Sequence, residues 1–198
     1  MEYQEDESYL SHSELTSDEQ EAILKLNAVS KFKKGDILLK EGETITKSFF
    51  VLKGCVRQYH LKDGEEKTTF FYLDDQAIFP NVNSQRVQIS QHNLECVEDC
   101  SLAVTTLEQE VNLMKSFPRL GDMCRVATEK QFGDYQEMFA KYISSTPEER
   151  YLDIVENRSD LLNRVPQYQL ASYLGVKPES LSRIRKRLTT KSKKPSNS

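Results

Sequence analysis

The chain has 198 residues, enough for one larger domain or two small ones, and its net charge of −4 hides an uneven distribution. No stretch approaches the ~18–20 consecutive apolar residues that cross a bilayer, and the N-terminus has neither the basic region nor the apolar core of a secretory signal. Together these exclude a membrane protein and lead us to expect a cytoplasmic one, with Cys55, Cys96, Cys100 and Cys124 as free thiols.

Residues 1–14 are polar and acidic and read as a flexible N-terminus. Thr16-Ser17-Asp18-Glu19 is a capping box that opens a helix through Ala22, Ile23, Leu24 and Leu26. The hydrophobic period then drops to two. From Lys31 to about Leu107, short strands alternate with turn signals: Lys34-Gly35-Asp36, Glu41-Gly42-Glu43, Lys53-Gly54 and Lys62-Asp63-Gly64. The last of these is a hairpin signal before Thr68–Leu73. Many short strands at this spacing imply an antiparallel sandwich or roll.

A helical transition over Leu107–Met114 follows, and Pro118 introduces a long helix to about Ser145, roughly 40 Å at 1.5 Å per residue. Leu120, Cys124, Ala127, Gln131, Tyr135, Met138 and Tyr142 recur three or four apart along it. Such a stripe can pack on the chain's own β domain, and its first turns suit that. For the rest we expect a two-helix dimer seam, interrupted at Gln131 and Gly133. Thr146-Pro147-Glu148-Glu149 starts a new helix with an N-cap, a proline at N1 and a glutamate at N3.

The C-terminal stretch Val165–Leu188 reads as two short helices around a tight turn. Pro166 suits a first helical turn, Leu170 and Leu174 lie one turn apart, Gly175 fits a left-handed C-cap, and Val176 is expected as a buried plug. Lys177-Pro178 starts the second helix, where Leu181, Ile184 and Leu188 would face inward. Glu179, Ser182, Arg183 and Lys186 share another face. Arginine can grip guanine bidentately and glutamate can accept from a cytosine amine, so Glu179, Ser182 and Arg183 are the candidate base readers. Gln167, Lys177, Ser180, Lys186 and Arg187 are candidate contacts to the DNA backbone. The plainer account is a solvated helical face with an i,i+4 Glu179–Arg183 pair. The charge distribution favours DNA: from Arg164 onward the segment carries +8, whereas residues 1–21 hold acids and no Lys or Arg. Residues 191–198 lack periodicity and read as a disordered basic tail.

Other chemistries find little. Cys96 and Cys100 are loosely metal-like in spacing but lack a second close pair, and His12, His60 and His92 are scattered, so no metal or iron–sulfur site is expected. No nucleophile–base spacing or phosphate loop appears, so the chain is not expected to be an enzyme.

The order helix, β roll, long helix, helix-turn-helix resembles the CRP/FNR family of bacterial transcription regulators, from about Leu15 to Leu188. The roll matches at Lys34-Gly35-Asp36, Glu41-Gly42-Glu43, Val51-Leu52-Lys53-Gly54 and Asp63-Gly64. The DNA-binding part matches at Glu149–Leu152, Arg164-Val165-Pro166, Ala171–Val176 and Pro178–Arg185, with the family's base-reading Glu-x-x-Ser-Arg pattern on Glu179, Ser182 and Arg183. The resemblance implies an α+β chain: a flexible start at 1–14, a cyclic-nucleotide-binding-like antiparallel β roll over 15–117, a dimerisation helix over 118–145 and a helix-turn-helix over 146–190. Its implied partners are double-stranded DNA on a near-palindromic site, a second copy of the chain, and RNA polymerase as a further candidate. Two departures matter. Where cyclic-AMP-binding members carry a Gly-Glu-Leu turn and an Arg-Ser or Arg-Thr pair, this chain has Pro80-Asn81-Val82 and Ser90-Gln91. A bidentate arginine clamp is hard to replace with serine and glutamine. Cyclic AMP is therefore not expected and no cofactor is, although Phe79, Asn81, Val82, Ser90 and Gln91 would line a pocket for some other small ligand. The oxygen-sensing branch's N-terminal cysteine group is also missing. The second departure is the end of the chain, where Thr189-Thr190-Lys191 stands in place of the β wing of many relatives. A roll that senses a ligand to switch DNA binding, and a protein-interaction module with an idle DNA-binding end, are the alternative readings.

Overall fold

A computed structural model describes residues 15–26, 28–78 and 88–192. The first helix, α1 (Ser17–Leu26), starts on the expected box: the Thr16 amide donates to the Glu19 carboxylate, and the Glu19 amide donates to Thr16 Oγ1. Among the described residues eight strands follow: β1 (Ala28–Phe32), β2 (Ile37–Leu39), β3 (Lys47–Lys53), β4 (Val56–Lys62), β5 (Glu65–Tyr72), β6 (Gln76–Ile78), β7 (Asn93–Cys96) and β8 (Cys100–Thr106). They form two four-stranded sheets, ordered β1-β8-β3-β6 and β2-β7-β4-β5. Helices α2 (Leu107–Ser116), α3 (Pro118–Ser144), α4 (Pro147–Asn157), α5 (Leu161–Arg164), α6 (Gln167–Tyr173) and α7 (Pro178–Ser192) complete the chain. This is the expected α+β order of roll, long helix and helix-turn-helix. Two details differ. The single turn α5 was not foreseen, and α7 continues to Ser192, so helix replaces the expected irregular tail at Lys191 and Ser192. Among the described residues, no helix is long and apolar enough to cross a membrane.

The turns follow local chemistry. Asp63 and Gly64 both have positive φ, 54° and 78°, as a two-residue hairpin turn requires. Gly54 has φ +124°, and a Cβ there would stand 2.5 Å from Cys100 Sγ and 2.9 Å from Cys100 Cα, so a side chain has neither the conformation nor the space. Ile89 makes an isolated antiparallel bridge to Thr44.

The described residues divide into two compact units. One holds those up to Gln58 together with Phe71–Tyr135; the other holds Tyr59–Phe70 with those from Gln136 on. The core of the first is built from alternating strand positions such as Val51, Val56, Phe71, Leu94, Cys96 and Leu102, all buried. The core of the second comes from Tyr151, Ile154, Leu161, Val165, Leu170, Ala171, Leu174, Leu181 and Ile184. Tyr59 and Thr68, from the β4–β5 hairpin, are buried and belong to the second unit.

Candidate nucleic-acid interface

The helix-turn-helix is set by its turn. Leu174 ends α6, Gly175 follows at φ +71°, the Gly175 amide donates to Ser172 O at 3.0 Å, and the Val176 amide donates to Ala171 O at 2.9 Å. This is a Schellman cap with glycine at its left-handed position. A Cβ there would also lie 2.4 Å from the Tyr142 hydroxyl, so that side chain would have to shift. Val176 is half-buried rather than the fully buried plug expected of it.

On α7 the apolar positions face inward as their spacing requires: Leu181 and Ile184 are buried and Leu188 is half-buried. On the other face Glu179, Ser182, Arg183, Lys186 and Arg187 are exposed, Lys177 is exposed just before the helix, and Ser180 is half-buried. Glu179 and Arg183 do not form the i,i+4 ion pair that a merely solvated face would favour; Arg183 Nε donates to Glu179 O at 3.4 Å. At the start of α6, Gln167 and Tyr168 are exposed. Arg187 is tied down differently from its neighbours: its Nη2 lies 2.5 Å from Glu148 Oε2 on α4. A cleft between the two helices is lined by Thr146, Pro147, Glu148, Val176, Ser180, Arg183, Ile184 and Arg187. Thr146 at its edge caps α4 reciprocally with Glu149, and the cap's amide and hydroxyl donors hold the Glu149 carboxyl below its usual range.

Arg150 lies in the matched stretch Glu149–Leu152, but its structural role was not read from the sequence. Arg150 donates from Nη1 to Tyr142 O at 2.9 Å and Ser145 O at 2.7 Å, and from Nε and Nη2 to Leu174 O at 3.2 and 3.0 Å. Its guanidinium lies 4.3 Å from the Tyr142 ring centroid. One cation thus satisfies orphan carbonyls at the C-terminal ends of α3 and α6, where a positive charge also suits both helix dipoles. The signal was available in an arginine one residue after a capping glutamate, but its targets are remote in sequence.

The stripe expected as a dimer seam lies on the more covered side of α3. Leu120 is buried; Cys124, Gln131, Tyr135 and Met138 are half-buried; Ala127 and Tyr142 are exposed. Tyr135 meets the Tyr72 hydroxyl at 3.4 Å, and the Tyr173 hydroxyl donates to Met138 Sδ at 3.8 Å. Burial, with the neighbouring Tyr135 adding to it, pushes the Tyr72 phenol well above its ordinary range. The large apolar side chains left exposed on α3 include Phe132 (63%), Phe139 (64%) and Ile143 (68%), seven and four residues apart.

In the roll, Phe79, Asn81 and Val82 lie outside the described residues. Ser90 is buried, and its hydroxyl donates to His92 O at 2.7 Å, while Gln91 is exposed. The structure therefore does not bring these two side chains together. The roll's buried cation is instead Arg57 on β4, 2% exposed and paired with Glu95 on β7, a residue the sequence reading passed over inside a strand run. Cys55, Cys96 and Cys100 are buried free thiols, and Cys100 Sγ donates to Cys55 O at 3.5 Å. Among the described residues, no group of three or more His, Cys, Asp or Glu side chains could hold a metal.

Comparison with known proteins agrees with this architecture. The cyclic nucleotide-binding domain family matches residues 29–117. Transcriptional activator protein FnrA of Stutzerimonas stutzeri and transcriptional activator protein anr of Pseudomonas aeruginosa are each 24% identical over 165 residues, covering 77% of this chain. The chain spans 66% of the length of these relatives. Among solved structures, FixK2 from Bradyrhizobium japonicum superposes with TM-score 0.69 at 17% identity, covering 87% of this chain and 89% of its own. The c-di-GMP responsive regulator CLP of Xanthomonas campestris gives 0.67 at 17%, covering 89% and 93%. The matched domain, the similar activators and the shared order of roll, long helix and helix-turn-helix agree with the resemblance to the CRP/FNR family of bacterial transcription regulators.

Proposed function

We propose that the chain is a sequence-specific, homodimeric DNA-binding transcription regulator in which α7 enters the major groove. The observation that carries this reading is the division of α7 itself. Leu181 and Ile184 are buried, while Glu179, Ser182 and Arg183 stand together and exposed, free of a mutual ion pair. In this arrangement Glu179 accepts from a cytosine amine, Arg183 donates to guanine O6 and N7, and Ser182 adds a short contact. Gln167, Lys177, Ser180 and Lys186 meet the phosphates, joined by Arg187 once a phosphate competes with Glu148. The related activators support a role in transcription, and RNA polymerase is then the natural further partner.

For the dimer, Phe132, Phe139 and Ile143 on α3 supply the exposed apolar stripe that a second copy would cover. The roll does not act through cyclic AMP in this reading. Its buried arginine, Arg57, is engaged by Glu95 and so is not reserved for a phosphate.

Two experiments test the proposal. Selection from a random duplex pool should enrich an inverted repeat with half-sites about one helical turn, ~34 Å, apart. Arg183→Ala should then weaken binding to that repeat by about 1–3 kcal/mol and relax one base position. Equal affinity for every sequence, with or without the substitution, would sink the reading.

A further inference from the structure

Among the described residues β5 is the last strand of the second sheet, and a side chain of α6 bonds to its outer edge. Glu66 and Thr68 are two apart and therefore face the same side. The Ser172 hydroxyl sits on that side. It accepts from the Thr68 amide at 2.9 Å and donates to Glu66 O at 2.9 Å, so one side chain stands where a neighbouring strand's peptide group would stand. A second contact lies alongside, with the Arg158 guanidinium 5.7 Å from the centre of the Phe70 ring. Lys177, just before the reading helix, helps hold the Glu65 carboxyl on the same hairpin below its usual range, after the larger effect of Lys67. Residues Tyr59–Phe70 accordingly cluster with the helix-turn-helix rather than with the strands they continue.

A serine beside a carbonyl commonly makes one adventitious hydrogen bond. Here a single hydroxyl both donates and accepts at good distance across 106 and 104 residues of sequence, beside the buried Thr68. With the hairpin so docked, Gln167, Tyr168, Glu179, Ser182 and Arg183 all remain exposed. The docked form therefore leaves the proposed reading face open.

We propose that Ser172 is a positioning residue: its hydroxyl latches the β4–β5 hairpin to α6 and thereby holds the helix-turn-helix in a DNA-competent setting. This rests on the DNA-reading function proposed above, and the test separates the two. Hydrogen exchange is measured first on the full chain without DNA. Ser172→Ala should speed exchange of the Thr68 amide about tenfold or more and leave the core amides of Leu170 and Ala171 unchanged. Ser172→Thr, which keeps the hydroxyl, should restore the protection. In titration against the selected duplex, Ser172→Ala should weaken binding roughly 3- to 10-fold with unaltered base preference, a shift of about 0.7–1.4 kcal/mol, and Ser172→Thr should recover it. Arg158→Ala, which keeps the hydroxyl, should loosen the hairpin's exchange in the same direction. Unchanged exchange at Thr68, tighter DNA binding by Ser172→Ala, or no rescue by threonine would each overturn the proposal. An unsubstituted protein that selects no sequence overturns the proposed function instead. A normal binder whose affinity ignores Ser172 overturns only the positioning role.

Discussion

The β roll and the helix-turn-helix unit treat their polar groups in opposite ways. In the roll, Arg57 is buried against Glu95, the Ser90 hydroxyl turns back to His92, and Ser48 hydrogen-bonds Glu110, whose carboxyl burial pushes up. These charges and hydroxyls are consumed by the fold. In the other unit Glu179, Ser182, Arg183 and Lys186 are exposed on one face, and the charged group held tightest, Arg150, binds helix-end carbonyls. A buried ion pair is costly to break and is weak evidence of function, whereas exposed hydroxyl and cationic donors above a buried apolar stripe are what an external polyanion can use.

The largest expected effect tests the first half of that contrast. Glu95→Ala should leave the Arg57 charge in the roll without its carboxylate and lower stability by about 3–5 kcal/mol, read by urea denaturation. The double change Arg57→Met with Glu95→Leu should recover most of the loss, because removing both charges together is often neutral. If the double variant stays as unstable as the single one, the pair does more than fill the roll, and the contrast breaks. Arg150→Ala comes next. It strips the partner from Tyr142 O, Ser145 O and Leu174 O, and hydrogen bonds to a charged group contribute about 1.5–3 kcal/mol each, so a loss of about 3 kcal/mol is expected after solvent replaces some of them. Arg150→Lys should restore little, since an ammonium cannot reproduce the planar fork. Full rescue by lysine would show that charge alone matters there.

Phe139→Asp sharpens the second half. Phe139 is 64% exposed in the single chain, so the substitution should leave the unfolding midpoint of the monomer nearly unchanged. In a dimer it would lose about 1.5–3 kcal/mol of side-chain burial per copy and place two like charges together. Sedimentation equilibrium should show the monomer, and binding to an inverted repeat should drop. A dimer that survives both Phe139→Asp and Phe132→Asp would move the seam back to the stripe Leu120–Tyr142 read from the sequence.

Periodicity and turn chemistry made most of the fold legible beforehand. The Thr16 and Thr146 caps, the Asp63-Gly64 hairpin, the Gly175 C-cap and the inward Leu181 and Ile184 were all plain from residue type and spacing, because local sterics and hydrogen bonding decide them. What escaped depends on neighbours distant in sequence. Arg150 reaches carbonyls on two helices, Ser172 reaches Glu66 across the chain, and Arg57 sits in a strand whose alternation marks its face but not its partner. Helical spacing on α3 marked a stripe of which Leu120 is buried, Cys124, Gln131, Tyr135 and Met138 are half-buried, and Ala127 and Tyr142 are exposed. Which of two stripes stays exposed is settled by the tertiary surroundings, and Phe132, Phe139 and Ile143 lie on the other one. Three of the five pocket candidates, Phe79, Asn81 and Val82, fall outside the described residues.

The smallest effect concerns Arg187. It is the cation of α7's exposed face held by a carboxylate, Glu148, whose side chain is 24% exposed against 56% for the arginine. Such a partly solvated pair stabilises the fold by no more than about 1 kcal/mol. The same pairing withdraws one positive charge from the proposed DNA-facing surface and places a negative one beside it. Glu148→Gln should therefore leave thermal stability within about a degree or two, given the several degrees that ~1 kcal/mol moves a small domain. DNA binding should tighten two- to threefold, and the slope of log K against log salt should steepen by roughly one, as one more phosphate is neutralised. Lys186→Gln, on the unpaired side of the helix, should flatten that slope by about as much. A Glu148→Gln protein with unchanged affinity and salt slope would mean that Arg187 lies beyond the phosphates, and the backbone contacts would then rest on Gln167, Lys177, Ser180 and Lys186.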